Sequence, residues 1–587
     1  MSVVSNINHS AKQKNKVILS ATCIGTIGVI VLFTIFGLQR CKNVDKISNS
    51  LIFKYNEDVS VNTLDPAFIK SQSEIWLGTQ IYEGLVGLDS NLRPIPKLCK
   101  SWEISPDGRV YKFVLKSNVQ FSWVDVNGFG KKTIKFKPVK SNDLAYSFYR
   151  IIDPKTASPG AWIFNDKVNI PLKNNKNSKS PLPLYKSSEN PFYCPNDSTI
   201  IITLNKPFPA FLSLLATNYA WVMPEFTQNW TNQQRAAQPI GTGPFYLRIW
   251  ETEVRLVLRK NPQYHEFENN KRLPYLEAIN VGFVKNKQTA FMQFMAGKYD
   301  FFNGMDGTFK DELLSKEGTL NPAYKNKINA LVSDFLNTEY IGFNLNDSLN
   351  GKENPLKDKN LRKALQFSID RLTLLKYFRN GLGTEGKGGF VPPTMLNSKD
   401  EKSYFVKDSA IWYWKKSNLF RNPSKFVPLK LTVISDYLDM AIFLQKAWNE
   451  IGIKIEIDIQ TAGMSRQLRN EGKLGLFRGS WIADYPDAEN YLSCFYSGYF
   501  SPNGPNYTHF YNKQFDDLFN ELAFGVFDTP KKQSNRLKLI EKANQIIATE
   551  APIVVLYYDK SLRLMQKNVK GLGNDAINRL DLKRVRN

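Results

Sequence analysis

The sequence predicts an α/β protein of at least two lobes, and three observations carry that reading. At 587 residues the chain is longer than one hydrophobic core normally supports. Its 42% hydrophobic and 13% aromatic content suffices to fill large cores, which excludes a chain disordered throughout. Helical and strand periodicities alternate from Leu51 onward with no internal repeat and no long Gly/Ser linker, so this stretch reads as one continuous body.

Individual elements bear this out. Val110 to Leu115, Thr199 to Leu204, Val254 to Leu258 and Leu429 to Ile434 are strand-like runs. Asn142 to Ile152, Asn360 to Tyr377 and Asp439 to Ile451 carry helical spacing. In the last of these, Ile442, Phe443, Ala447 and Trp448 share one face, the helix stops at Ile451-Gly452, and Ile453 to Ile459 then alternates as a half-buried strand. Asp107-Gly108 is a turn joining two strands, with Gly accepting positive φ. Ser141 or Asn142 can cap the helix that follows, and Asp143 suits its positive end. Gly241, Gly243 and Pro244 fit a sharp turn entering a strand. Pro171 to Pro195, rich in Lys, Asn, Ser and Pro, reads as a surface loop. Gly381 to Gly389 is glycine-rich but lacks the phosphate-loop arrangement and follows a helix, which argues against nucleotide binding.

The N-terminus has a different character. Lys12, Lys14 and Lys16 precede Val17 to Leu38, a run without charge. About 20 such residues cross a bilayer, so the run reads as an uncleaved signal-anchor helix. Lipidation at Cys41 is the alternative, opposed by Arg40 and Gln39 at positions where a lipobox carries small residues. Cys99, Cys194 and Cys494 are too sparse for a disulfide framework, and three histidines without CxxC spacing exclude an obvious zinc site. The net charge of +24 is spread over single Lys residues and short pairs such as Lys131-Lys132 and Lys415-Lys416. That is a solvated surface, not a nucleic-acid-binding stripe.

Eight segments, in order, resemble the family 5 bacterial extracellular solute-binding proteins, the dipeptide- and oligopeptide-binding components of ABC importers. They are Leu64-Asp65-Pro66-Ala67, Ile81 to Val86, Ser101 to Gly108, Ser141 to Phe148, Gly241 to Leu247, Asn360 to Arg371, Trp481 to Pro486 and Ala551 to Tyr558. The resemblance implies a two-lobed periplasmic-binding-protein (venus-flytrap) fold with an extra subdomain, preceded by the N-terminal membrane helix. Lobe I would comprise residues 51–82, 203–280 and 551–587, with a subdomain at 83–202; lobe II would run from 281 to 550. Crossings near Ile279 to Phe283 and Pro552 to Tyr558 would act as hinges.

The resemblance also implies a site. Asp484 matches the family aspartate that pairs with a peptide's α-ammonium, a charge-assisted contact that the ligand completes. Ser480 to Ile482 would pair backbone-to-backbone with the peptide like an added strand, which reads direction and not side chains. Ser71, Gln72 and Ser73 would supply a second strand edge from the other lobe. Arg478 matches a position that can hold the peptide's carboxylate, although it could instead pair with Asp487 or Glu489. Trp481 and Tyr485 would line side-chain space. The partners implied are short peptides, permease subunits of an importer and the membrane, with the protein a monomer outside the cytoplasm that uses no cofactor, metal or nucleic acid. The same fold could hold haem, a nickel chelate or a sugar, or act as a peptide sensor. An enzyme is disfavoured: there is no Gly-x-Ser-x-Gly elbow or H-E-x-x-H, and Asp484, Asp487 and Glu489 form an acid/base set only on paper.

Overall fold

The computed structural model describes residues 51–587 except 127–131, 170–186, 305–308, 350, 388, 397–403 and 574. The expected membrane run at 17–38 and most of the expected loop at 171–195 lie outside the described residues. Among those described, no helix is long and apolar enough to cross a membrane.

An eleven-stranded mixed sheet organises residues 51–587. On one side Phe245–Glu251, Arg255–Lys260, Ala278–Phe283, Ile52–Glu57 and Phe301–Asn303 are consecutive neighbours. On the other side lie Leu476–Ile482, Lys430–Val433 and Glu456–Ile459. Two long strands, Ile328–Phe343 and Ile553–Gln566, run antiparallel between the two sets. Their register shifts twice near the middle: Phe335, Leu336 and Asn337 oppose Asp559 alone, and Leu556 is skipped between the pairs Glu339↔Tyr557 and Tyr340↔Val555. One half of the pair contributes Leu562 and Leu564 to a small cluster with Phe291 and Phe302, and Met565 to a large first core. The other half contributes Ile341, Val554 and Leu556 to a second core, and Tyr340, Val555 and Tyr558 to a third. The bulge therefore sits where the chain passes between cores, as an unpaired insertion that bends a ladder does.

That arrangement corrects one expectation. Ala278–Phe283 does not cross between cores; it is paired on both sides, to Ile52–Glu57 and Arg255–Lys260, and belongs wholly to the first. The crossing is made by Ile328–Phe343 instead. Phe301, past the boundary expected at 280, also packs in the first core.

Local signals hold up well. Ser105 to Gly108 forms the expected turn, with Gly108 at φ +68° and its N–H on the Ser105 carbonyl at 2.8 Å. Leu438–Asn449 ends with Gly452 at φ +90°, and Ile453 N–H returns to the Trp448 carbonyl at 3.0 Å. Gly241 and Gly243 lie against the carbonyls of Ile81 and Gln80, where a Cβ would come within 2.0 and 2.5 Å. The two motif segments are thus packed backbone on backbone, and Gly is required.

Four local readings change. Asn360 to Tyr377 is two helices, Lys359–Phe367 and Arg371–Arg379, because Asp370 caps the second by accepting the Thr373 N–H at 3.0 Å. The helix Ser141–Ile152 is not capped by Ser141 or Asn142; its N-cap is Lys140, whose N–H donates to the Asp143 carboxylate at 2.8 Å. The end of the expected loop is the strand Phe192–Asn196, paired to Thr199–Thr203. Only Glu456–Ile459 of the Ile453–Ile459 run is strand. Cys99, Cys194 and Cys494 are buried free thiols.

Two buried polar knots tie down the first core. Arg150 grips Asp65 through two parallel bonds, the Nη1 contact at 2.6 Å and the Nη2 contact at 2.5 Å, with Asp65 fully buried. Glu83 accepts from Tyr264 at 2.8 Å and Thr242 at 3.2 Å and contacts His265 at 2.8 Å. The Leu64-Asp65 and Tyr82-Glu83 motifs are therefore structural.

Candidate functional site

The strand Leu476–Ile482 places the residues singled out by sequence. It pairs antiparallel with Ile328–Phe343 along its whole length, from Phe343↔Leu476 to Asn337↔Ile482. On its other edge Lys430–Val433 pairs only with Leu476 and Phe477. From Arg478 to Ile482 that second edge has no ladder among the described residues. An unpaired edge offers backbone N–H and C=O groups to an incoming extended chain. Side chains alternate about it: Arg478, Ser480 and Ile482 on one face, Gly479 and Trp481 on the other. Ile482 is 53% exposed. Gly479 is required, because a Cβ there would stand 2.5 Å from the Tyr340 ring.

Beyond the strand the chain turns, and Asn490 fixes the turn. Its side-chain oxygen accepts the Trp481 indole N–H at 2.9 Å and the Asp484 backbone N–H at 3.4 Å, while its amide nitrogen donates to the Asp484 carboxylate at 3.4 Å. Asn490 lies on the short helix Ala488–Leu492, N-capped by Asp487, which Arg536 holds through two bonds of 2.9 and 2.7 Å. Asp484 remains accessible to water, yet protein surrounds it closely enough to push its carboxyl above the ordinary value, opposed only by the Asn490 amide. Among the described residues it has no Lys or Arg partner. It is an accessible carboxylate at the end of an open strand edge, with a desolvation cost that a cation would relieve.

The other predicted residues are placed differently. Tyr485 is not an open wall: it is 5% exposed, its hydroxyl donates to Glu489, and its ring stacks on Trp162 at 6.1 Å within the first core. Glu489 is buried, which raises its carboxyl to about 7. With Asp487 clamped by Arg536 and Glu489 bonded to Tyr485, Asp484, Asp487 and Glu489 do not converge on a shared acid/base centre. Arg478 pairs with neither; it meets Glu339 at 2.5 Å.

Ser71, Gln72 and Ser73 form no strand edge. Ser71 caps the helix Gln72–Ile81 in a reciprocal box with Glu74. The Gln72 amide donates to the Asn578 carbonyl at 3.2 Å, and the Ser73 hydroxyl donates to Glu57 at 2.5 Å. The signal was present in the sequence, since Ser71-Gln72-Ser73-Glu74 is a capping box. Sequence reasoning also missed Asn490, which nothing short of the fold brings to Asp484, and Tyr219. Tyr219 packs against the first core with its ring edge-on to Trp162 at 6.4 Å; burial first, and then the Asp484 and Glu74 charges, push its phenol up to about 12.

Comparison with known proteins identifies the family and the fold. The family described as bacterial extracellular solute-binding proteins, family 5, matches residues 93–503. The oligopeptide-binding protein OppA of Bacillus subtilis is 25% identical, covering 84% of this chain and 85% of its own. Heme-binding protein A of Haemophilus influenzae is 27% identical over 84% of each. The structure of the periplasmic binding protein DppA from Helicobacter pylori in complex with the peptide STSA superposes with a TM-score of 0.68 at 22% identity, covering 91% of this chain and 98% of that one.

Proposed function

This chain belongs to family 5 of the bacterial extracellular solute-binding proteins, and from that membership we propose that it captures short peptides outside the cytoplasmic membrane for delivery to an ABC importer. The observation that carries the reading is Asp484: an accessible, partly desolvated carboxylate with no Lys or Arg partner among the described residues, where the edge Arg478–Ile482, unpaired among those residues, ends. An α-ammonium satisfies the carboxylate, and a peptide backbone extends the sheet. Ser480, Trp481 and Ile482 are the neighbouring contacts. Relatives named for oligopeptide and dipeptide binding support a peptide cargo. A lobe built on the first core and a lobe built on the second and third cores close on that cargo about the bulged pair Ile328–Phe343 and Ile553–Gln566. The apolar run 17–38 anchors the monomer to the membrane.

A relative named for haem binding favours one competing cargo. Mass spectrometry of molecules co-purifying with the protein separates the two. Peptides released on denaturation are the expected result; haem or another solute, with no peptide, refutes the proposal.

A further inference from the structure

The open edge has a cation at one end, Arg478, and the geometry takes that cation out of play. Arg478 and Glu339 are diagonal neighbours on one face of the paired strands, since Ile341 opposes Arg478 and Glu339 opposes Ser480. The guanidinium meets the Glu339 carboxylate at 2.5 Å and covers the Tyr437 ring with its centre 3.6 Å from the centroid. The pair is part of a longer chain of contacts. Asn337 donates to Glu339 at 3.1 Å and to Asp559 at 3.2 Å, and Asp559 is ion-paired with Arg379. Two guanidiniums face two carboxylates, with an amide between them.

A peptide's C-terminal carboxylate approaching Arg478 therefore meets a neutral pair. The side chain is only 15% exposed, and its Nε is buried away from solvent. Through Nη2 the guanidinium already holds Glu339, so a carboxylate that binds there shares a cation whose charge is matched. Drawing the guanidinium away from Glu339, which is 4% exposed, costs the desolvation of a buried acid. At the other end of the edge, Asp484 has no Lys or Arg partner among the described residues. The two ends differ in kind.

Building on the peptide-binding reading above, we infer that Glu339 is a specificity-determining residue: by neutralising Arg478 it makes the site blind to the ligand's C-terminal carboxylate. The ligand class is then any extended chain with a free N-terminal amine, C-terminally amidated peptides and longer chains included. Glu339 does not touch ligand; it acts through Arg478.

The test uses the full chain and one mixture of tri- to pentapeptides prepared in three forms: free, C-amidated and N-acetylated. Calorimetry is expected to give amidated peptides within about threefold of the free ones, and N-acetylated peptides weaker by at least tenfold. Amidated peptides weaker by tenfold, with acetylation also harmful, overturn the inference and leave the peptide-binding reading standing. Free and acetylated peptides binding alike, or no form binding, sinks that reading and the inference with it. In Glu339→Gln, Arg478 is released, and free acids are expected to outbind amides by at least fivefold. A folded Glu339→Gln protein that stays indifferent to amidation removes the role assigned to Glu339. If that variant does not fold, Arg478→Gln is measured instead: free and amidated peptides are expected to bind it as they bind wild type, and a loss confined to the free acids shows that Arg478 reads the carboxylate in spite of Glu339 and overturns the inference.

Discussion

Asp484→Asn isolates the charge from the shape of the site. The amide keeps the size of the carboxylate and can still meet Asn490, which lies 3.4 Å away in the present structure. It loses the ion pair with the ligand's ammonium. Truncating one partner of a hydrogen-bonded charge pair at an interface costs about 2–5 kcal/mol. Asp484 is reached by water on one side, so the lower end applies: about 2–3 kcal/mol, or roughly 30- to 150-fold in Kd. The effect on the empty protein has the opposite sign. Burial raises this carboxyl above its ordinary value, so at neutral pH the folded protein holds an anion that would be better solvated unfolded. Replacing it by a neutral amide removes that cost, and the ligand-free Tm is expected to stay level or rise. Calorimetry with free peptides and thermal unfolding without them check both parts. A Kd within threefold of wild type refutes the assignment; a ligand-free Tm that drops by several degrees shows that Asp484 supports the fold instead.

Three further outcomes follow from named contacts. Peptide affinity should fall on acidification at a pH above that of an ordinary carboxyl, because the raised Asp484 group protonates there and releases the ammonium; it should fall again above about pH 8 as the peptide amine deprotonates. Calorimetry across pH checks this, and a flat profile from pH 4 to 10 contradicts it. Arg150→Ala leaves the fully buried Asp65 without its cation and is expected to destabilise by about 3–5 kcal/mol in urea unfolding; an unchanged midpoint would show the pair is dispensable. Gly479→Ala pushes a methyl group to 2.5 Å from the Tyr340 ring and is expected to destabilise by about 1–3 kcal/mol and weaken peptide binding by displacing the strand edge. Full stability and affinity in that variant would mean the ring swings aside freely.

The sequence by itself determined whatever is written within a few residues. The Ser105–Gly108 turn and the Gly452 helix stop are local geometry, dictated by which residues tolerate positive φ. The capping box at Ser71 was equally local and legible, and reading those residues as a strand edge overlooked it. Family resemblance took the Asp484 segment further than periodicity could, since an aspartate after an alanine says nothing alone. Tertiary structure decided every partnership. Arg478 finds Glu339 from 139 positions away, and Arg150 finds Asp65 from 85 away. The alternatives visible in sequence, Asp487 and Glu489, were nearer in the chain but already held by Arg536 and Tyr485. The open strand edge was also invisible, because it depends on where a separate strand, Lys430–Val433, stops. A charge is paired, and an edge is covered, by whatever the fold brings within reach. The residues could be named from the sequence, but only packing settled that Arg478 is paired with Glu339 and that Asp484 has no Lys or Arg partner among the described residues.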